Sequence, residues 1–206
     1  MTIYKNILEK SELTHSDLVS LLSSDEDGRK AIFEKAAEIK ARYVGKKVYY
    51  RGLIEFSNLC GKNCLYCGIR AGNTRANRYE VTEQEVLDAA RYAWENRFGS
   101  IVIQAGERSG KQFTERIERI IHAVAKMSRG ELGITLSLGE QSEETYRRWF
   151  AAGAHRYLLR IEVSNPSLYP KYHPSDKIHD YQARLECLHL LRKCGYQVGS
   201  GVMIGL

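Results

Sequence analysis

Val48-Tyr49-Tyr50-Arg51-Gly52-Leu53-Ile54-Glu55-Phe56-Ser57-Asn58-Leu59-Cys60-Gly61-Lys62-Asn63-Cys64-Leu65-Tyr66-Cys67 is the stretch that decides how the rest of this chain is read. Residues 48–57 are rich in the β-branched and aromatic types that suit a pleated, half-buried surface and read as a strand. The loop that follows carries CxxxCxxC, three thiols inside eight residues. Gly61, Lys62 and Asn63 between them are turn-forming or charged, so filling a core does not explain the spacing. Three cysteines brought to one point suit a metal centre, and three rather than four suggests one position left open.

The alternatives differ in what they leave unexplained. A structural zinc site wants four protein ligands, and no second CxxC or HxxxH pair appears elsewhere. A disulfide framework belongs to short secreted chains. A thioredoxin-type CxxC accounts for Cys64 and Cys67 and leaves Cys60 idle. An iron–sulfur cluster is held by thiolates, and a cubane bound by three of them keeps one iron free.

Outward from this loop a pattern repeats. Thr82-Glu83-Gln84-Glu85 is a capping box ahead of a helix with Val86, Ala89, Ala90 and Ala93 on its apolar face. Strands are predicted at 100–104, 132–138, 156–161 and 197–204, alternating with helices near 113–127, after Ser142, and over 181–194. Tyr146, Trp149 and Phe150 follow helical spacing and read as core. Such alternation implies a parallel sheet covered by helices, which a doubly wound sheet and a (β/α) barrel both satisfy. No GxGxxG follows the first strand, and each strand ends in polar residues: the cysteine loop, Gln104/Glu107, Ser137/Glu140, Arg160/Glu162 and Met203/Gly205. Barrel sites are built at that C-terminal face, so the expected class is α/β, a TIM-type barrel. The chain stops at Leu206 after five such strands, whereas eight-stranded barrels run to about 250 residues. The expectation is a barrel truncated after its fifth strand, residues 47–206, behind an N-terminal helical extension, 1–46. That extension reads as two short helices, one signalled by Thr14 and Asp17, the other over 27–43 with Ile32, Phe33, Ala36, Ile39 and Tyr43 on one stripe.

The chain has 206 residues, 43% hydrophobic and 27% charged, an ordinary globular composition. No apolar run approaches a bilayer span, and the N-terminus lacks a signal-peptide core. With an odd number of cysteines, five, the expectation is a cytoplasmic protein with no membrane partner. The net charge of +6 raises the question of nucleic acid. The basic residues, however, are spread along predicted helices and do not interleave with aromatics as a base-stacking groove requires, so no nucleic-acid partner is expected. A mildly positive surface favours anionic ligands or an acidic electron donor.

CxxxCxxC with Tyr66 before the last cysteine resembles the signature of the radical S-adenosylmethionine (radical SAM) superfamily. Ile54-Glu55-Phe56-Ser57-Asn58, Arg78-Tyr79, Gln104-Ala105-Gly106-Glu107, Thr135-Leu136-Ser137-Leu138-Gly139-Glu140 and Ala152-Gly153-Ala154-His155-Arg156-Tyr157-Leu158-Leu159-Arg160 together resemble the [FeFe]-hydrogenase maturases of the HydE family, and more distantly biotin synthase and methylornithine synthase. The likeness runs from about Arg51 to Leu206. It implies a [4Fe–4S] cluster on Cys60, Cys64 and Cys67, with the free iron chelated by the amino and carboxylate groups of S-adenosylmethionine (SAM). It implies further that the Tyr66 backbone lies near the adenine and that Gly106-Glu107 receives the SAM amino group. Ser137, Gln104 and Glu140 would line the cavity, Glu162 with Arg160 beside it would meet the ribose or sulfonium, and Arg184 would hold the carboxylate. Gly201, Met203 and Gly205 would form the adenine-side motif. A small-molecule substrate and a one-electron donor such as a flavodoxin or ferredoxin follow from the same resemblance. Two departures stand out: Ile161 replaces the maturases' histidine in an Arg-His-Glu triplet, and 163–182 is longer than expected.

Taken singly, these residues have plainer readings. Glu107 or Glu162 alone is a solvated strand end, Arg184 alone is a surface arginine, and Arg160 neutralises Glu162. Cys187 and Cys194 lie about 10 Å apart along one helix, beyond disulfide reach, and read as structural thiols. His155, His173 and His189 read as structural or exposed. A non-catalytic electron-transfer module is the rival of another class, and it leaves Gly106-Glu107 and Arg184 without a reason.

Overall fold

The computed structural model describes residues 2–206, which fall into two compact units, one ending at Val48 and the other spanning Tyr49–Leu206. The first is helical: α1 (Thr2–Leu8), α2 (His15–Leu22) and α3 (Glu26–Val44). Thr14 starts α2 with a complete capping box, its Oγ1 accepting from the Asp17 N–H at 3.2 Å while the Asp17 carboxylate accepts from the Thr14 N–H at 2.9 Å. Sequence reasoning expected two helices here. The missed one, α1, is short and packs on α3 where Gly28 leaves room: a Cβ there would stand 2.7 Å from Tyr4 Cε2. Of the expected α3 stripe, Phe33, Ile39 and Tyr43 are exposed.

The second unit is built on strands β1 (Arg51–Ser57), β2 (Ser100–Ala105), β3 (Gly133–Ser137), β4 (Arg156–Leu158) and β5 (Gln197–Gly199). All neighbours are parallel and the sheet order is β1-β2-β3-β4-β5. A doubly wound sheet reverses its strand order part-way. A run in strict sequence order is the (β/α)-barrel arrangement, and it sends every strand's carboxyl end to the same face. Between the strands lie α4 (Glu83–Glu95), α5 (Lys111–Met127), α6 (Glu143–Ala152), the short α7 (Tyr169–Tyr172) and α8 (Tyr181–Lys193).

Periodicity explains why these helices cover the sheet. On α5, Phe113, Ile117, Ile120, Ile121 and Val124 are all buried, one stripe at helical spacing. Burying each such side chain is worth about 1.5–3 kcal/mol, so this stripe alone commits α5 to the sheet. Ser142 and Thr82 cap α6 and α4, each worth about 1 kcal/mol. On α6, Tyr146 and Trp149 are fully buried and Phe150 partly so. Their polar ends are satisfied: Trp149 Nε1 donates to the Thr114 carbonyl at 3.0 Å, and the Tyr146 hydroxyl accepts from the Gln141 N–H at 3.0 Å. Tyr157 donates from its hydroxyl to the Gly139 carbonyl at 2.8 Å, so the core grips the turn that leaves β3.

Two strands are shorter than the expected 156–161 and 197–204. The ladder breaks after Leu158, where the Ile161 N–H turns to the Ser200 hydroxyl at 3.3 Å in place of a backbone carbonyl. Pairing resumes only as an isolated Glu162–Val202 bridge. At the other end of the sheet, β1 carries a register shift between Glu55 and Ser57. Such a bulge bends and twists its strand, and here it turns the chain into the cysteine loop.

Candidate functional site

Cys60, Cys64 and Cys67 are free, half-buried thiols on the loop leaving β1, and all three line one cavity of about 370 Å³ at the C-terminal face of the sheet. The loop is fastened to β2 by reciprocal backbone bonds: Gly106 N–H to the Ser57 carbonyl and Gly61 N–H to the Glu107 carbonyl, both 2.9 Å. The Glu107 N–H also donates to Cys60 Sγ at 3.3 Å. Such closeness requires glycine at 106. A Cβ there would fall on the Leu59 carbonyl and stand 2.8 Å from Cys60 Cβ.

On its far side the loop is closed by Arg78. Its guanidinium donates to the carbonyls of Asn58 (2.7 Å), Ile69 (2.8 Å), Arg70 (2.7 Å) and Asn73 (3.2 Å). Only a planar fork reaches four acceptors in this way. Arg78→Lys should therefore destabilise the protein by about 2 kcal/mol, since bonds from charged donors are worth roughly 1.5–3 kcal/mol each. Urea unfolding of the iron-free protein measures this, and an unchanged midpoint would show that the four contacts are dispensable.

A ring of alternating charges meets the cavity: Lys62, Glu107 and Arg184 line it, while Glu140, expected from the sequence to line it, only pairs with Lys62 and Arg184. Lys62 Nζ lies 3.1 Å from Glu107 Oε1 and 2.9 Å from Glu140 Oε2, while Arg184 Nη1 lies 3.3 Å from Glu107 Oε2 and 2.8 Å from Glu140 Oε1. All four side chains are only 12–16% exposed, so solvent screens them little. Burial alone would lower the Lys62 ammonium pKa, but Glu107 and Glu140 outweigh it and the net shift is upward. Arg184 follows the same logic, with desolvation opposed and overcome by Glu107 and Glu140. The side chain of Glu107 lies against Gly139, whose φ of 76° and missing Cβ leave it space. Burial pushes the Cys64 thiol up, and it does the same to the Tyr66 phenol, with Cys64 adding to the effect.

Of the residues singled out from sequence, the cavity is lined by Cys60, Cys64, Cys67, Tyr66, Gln104, Gly106, Glu107, Ser137, Arg160, Glu162 and Arg184. Gly201, Met203 and Gly205 are not among its lining residues. Gly201 and Met203 instead hold Glu162: its N–H donates to the Gly201 carbonyl at 3.0 Å, and its carbonyl accepts from the Met203 N–H at 2.9 Å. Glu162 is nearly buried, its Oε1 3.2 Å from Arg160 Nε, and its left-handed backbone stores strain of about 1 kcal/mol or more. Ile161, at the histidine position, is buried. Sequence reasoning missed Lys62, Glu55 and Gly139 as lining residues. Lys62 was legible only as a spacer between thiols, although a lysine inside a cluster of cysteines is itself a signal.

The family model for the radical SAM superfamily matches residues 54–206. This chain belongs to the radical SAM superfamily. Among curated relatives it is 42% identical over 200 residues to the [FeFe] hydrogenase maturase subunit HydE of Thermotoga maritima, covering 97% of this chain and 56% of that one. It is 26% identical to the biotin synthase of Lysinibacillus sphaericus, covering 94% and 58%. Among solved structures it is similar to the [FeFe]-hydrogenase maturase HydG, at TM-score 0.85 and 25% identity, covering 99% of this chain and 46% of that one. Methylornithine synthase PylB superposes at TM-score 0.83 with 24% identity, covering 98% and 59%, a likeness of fold. The chain spans 56–58% of the length of these two curated relatives.

Radical SAM proteins use a [4Fe–4S] cluster and SAM, and the donor set here can be tested against both. Thiolates sharing one ion at 2.3 Å stand about 3.8 Å apart. Among the described residues, no three Cys, His, Asp or Glu side chains converge in that way. A cubane gives each thiolate its own iron and needs no such convergence. Three thiols on one cavity, an N–H already directed at Cys60 Sγ, and carboxylate and guanidinium groups beside them fit the pair of cofactors. All five cysteines are free, as the helical separation of Cys187 and Cys194 requires. Among the described residues, no helix is long and apolar enough to cross a membrane.

Proposed function

We propose that this chain holds a [4Fe–4S] cluster through Cys60, Cys64 and Cys67 and binds SAM in the adjoining cavity. Its reaction is on a small molecule in [FeFe]-hydrogenase H-cluster maturation. One observation carries the reading: the three thiols share a single cavity of about 370 Å³ with Glu107, Glu162 and Arg184. Identity chooses the branch, 42% to the HydE maturase against 26% to a biotin synthase.

Cys60, Cys64 and Cys67 would hold the cluster, which when bound would supply the single electron needed for reductive cleavage of the SAM C–S bond, with methionine as the leaving group. The chain's own residues position SAM and keep water out. Glu107 accepts from the SAM ammonium, and the Arg184 fork suits the carboxylate. Glu107 is paired with Lys62 and Arg184. Glu140 pairs with the same two cations, so Glu107 can turn to a third cation without stranding either of them. Glu162, held by Gly201 and Met203, faces the ribose hydroxyls, with Arg160 beside it. Ser137 and Gln104 line the wall, and the Tyr66 backbone, on the same cavity, would meet the adenine. The electron comes from an acidic donor such as a flavodoxin or ferredoxin, which the +6 net charge would attract.

The test is anaerobic reconstitution of the full-length protein followed by reduction with SAM present. Formation of 5′-deoxyadenosine is expected. Bound iron with intact SAM would replace this reading with a non-catalytic electron-transfer role.

A further inference from the structure

Residues 163–180, between β4 and α8, make up most of the 163–182 stretch whose length departs from the resemblance. It lies against the cysteine loop and touches it at successive residues. The Leu65 N–H donates to the Tyr172 carbonyl at 2.9 Å, and Lys62 Nζ donates to the Ile178 carbonyl. The Asn63 N–H donates to His179 Nε2 at 2.8 Å, and the Tyr66 hydroxyl pairs with His173 Nε2 at 3.1 Å.

Hydrogen-bond logic fixes the state of both histidines. A backbone N–H can only donate, so His179 Nε2 carries a lone pair and the ring proton is on Nδ1, which meets Asp176 Oδ1 at 2.7 Å. The same Asp176 oxygen accepts from the backbone N–H groups of Ile178 (3.0 Å) and His179 (3.1 Å), which holds it in place. A carbonyl can only accept, so His173 Nδ1 donates to the Tyr169 carbonyl at 2.9 Å, and in the neutral ring that burial favours its Nε2 accepts from the Tyr66 hydroxyl. That ring is further fixed by stacking on Tyr169, centroids 3.8 Å apart at 9°. Both histidines are buried, 4% and 6% exposed. A core histidine would be expected to satisfy itself within its own neighbourhood. Here two of them aim their acceptors at the same loop, on either side of Cys64.

We propose that residues 163–180 form a strap that presets the cysteine loop for its cluster, with the Asp176–His179 pair as the positioning element acting through the Asn63 N–H. The inference rests on the reading that Cys60, Cys64 and Cys67 hold the cluster. Its physical basis is preorganisation. The loop is rich in turn residues and its thiols are half exposed, so without external anchors it would sample many thiol arrangements, and few of them match the cube. Partners that orient metal ligands are worth about 10–100-fold in metal affinity in well-studied sites.

The experiment compares the rate at which a chelator, bathophenanthroline, strips iron from the anaerobically loaded full-length protein. Wild type, His179→Ala and His179→Gln are measured, with thermal melting of each iron-free protein alongside. Glutamine places an oxygen acceptor where Nε2 stood. His179→Ala is expected to lose iron about tenfold faster, and His179→Gln to return most of the way to the wild-type rate. A merely structural role would lower melting temperature without this acceptor-dependent rescue. Equal rates for His179→Ala and wild type would overturn the inference, as would His179→Gln behaving like His179→Ala. If His179→Ala does not fold, Asp176→Ala carries the test, with release expected faster than in wild type and an unchanged rate overturning the idea. A wild type that holds no iron would sink the cluster reading and the strap together; a wild type that holds iron with an indifferent His179 sinks the strap alone.

Discussion

Cys64→Ala is expected to leave the protein folded and almost free of iron. The substituted side chain is half exposed on a loop, so the iron-free protein should melt close to wild type. Cluster retention is another matter. A thiolate that closes a metal site has no neighbour to replace it here, because the described residues near the cavity offer only Cys60 and Cys67 as further thiols. Iron after reconstitution should fall below roughly a tenth of wild type, the scale on which losing a ligand abolishes metal-coupled stability. Release of 5′-deoxyadenosine should vanish with it. Iron analysis and chromatography of the nucleoside measure the two effects separately. Full iron content in the variant would show that Cys64 is not a ligand.

The second large effect is expected at a residue with no side chain. Gly106→Ala places a methyl group on the Leu59 carbonyl and 2.8 Å from Cys60 Cβ. Both neighbours are tied to the backbone that carries the first thiol, and that backbone is bonded on each side, by Gly106 to Ser57 and by Gly61 to Glu107. No flexible side chain is available to move aside. The methyl can be admitted only by prying the cysteine loop from β2. Overpacking of this kind costs about 1–3 kcal/mol, and the displacement falls directly on a thiol. Gly106→Ala should therefore lower both the denaturation midpoint and the iron content. Gly68→Ala is the control: it adjoins Cys67, yet an added Cβ there meets nothing within 4 Å. It should stay within about 0.5 kcal/mol of wild type, as open surface positions do. If both glycine variants bind iron equally, close approach at Gly106 is not what the site depends on.

Much of this architecture was legible because the signals are local. Capping boxes at Thr14 and Thr82, the stripe on α5, and polar residues ending each strand lie within a turn or two of the structure they dictate. The choice of a barrel over a doubly wound sheet also followed from those strand ends, and the sequential strand order bears it out. What was not legible is what depends on distant partners. Lys62 reaches Glu140 across 78 residues, Tyr66 reaches His173 across 107, and Asn63 reaches His179 across 116. Nothing in the spacing of neighbours encodes such pairs. Lys62 was therefore read as a spacer and His173 as a structural or exposed residue. The strands β4 and β5 ended early for a related reason. Their expected length followed from apolar runs, while the ladder stops at Leu158 and Gly199, where the Ile161 N–H bonds to the Ser200 side chain, and resumes only as the Glu162–Val202 bridge.

The central claim is that Cys60, Cys64 and Cys67 hold a cluster with one iron open to SAM. Electron paramagnetic resonance of the reduced, reconstituted full-length protein, recorded with and without SAM, tests it most directly. The account predicts about four irons per chain and a spectrum that SAM reshapes in wild type. Iron bound in that amount with a spectrum indifferent to saturating SAM would contradict it.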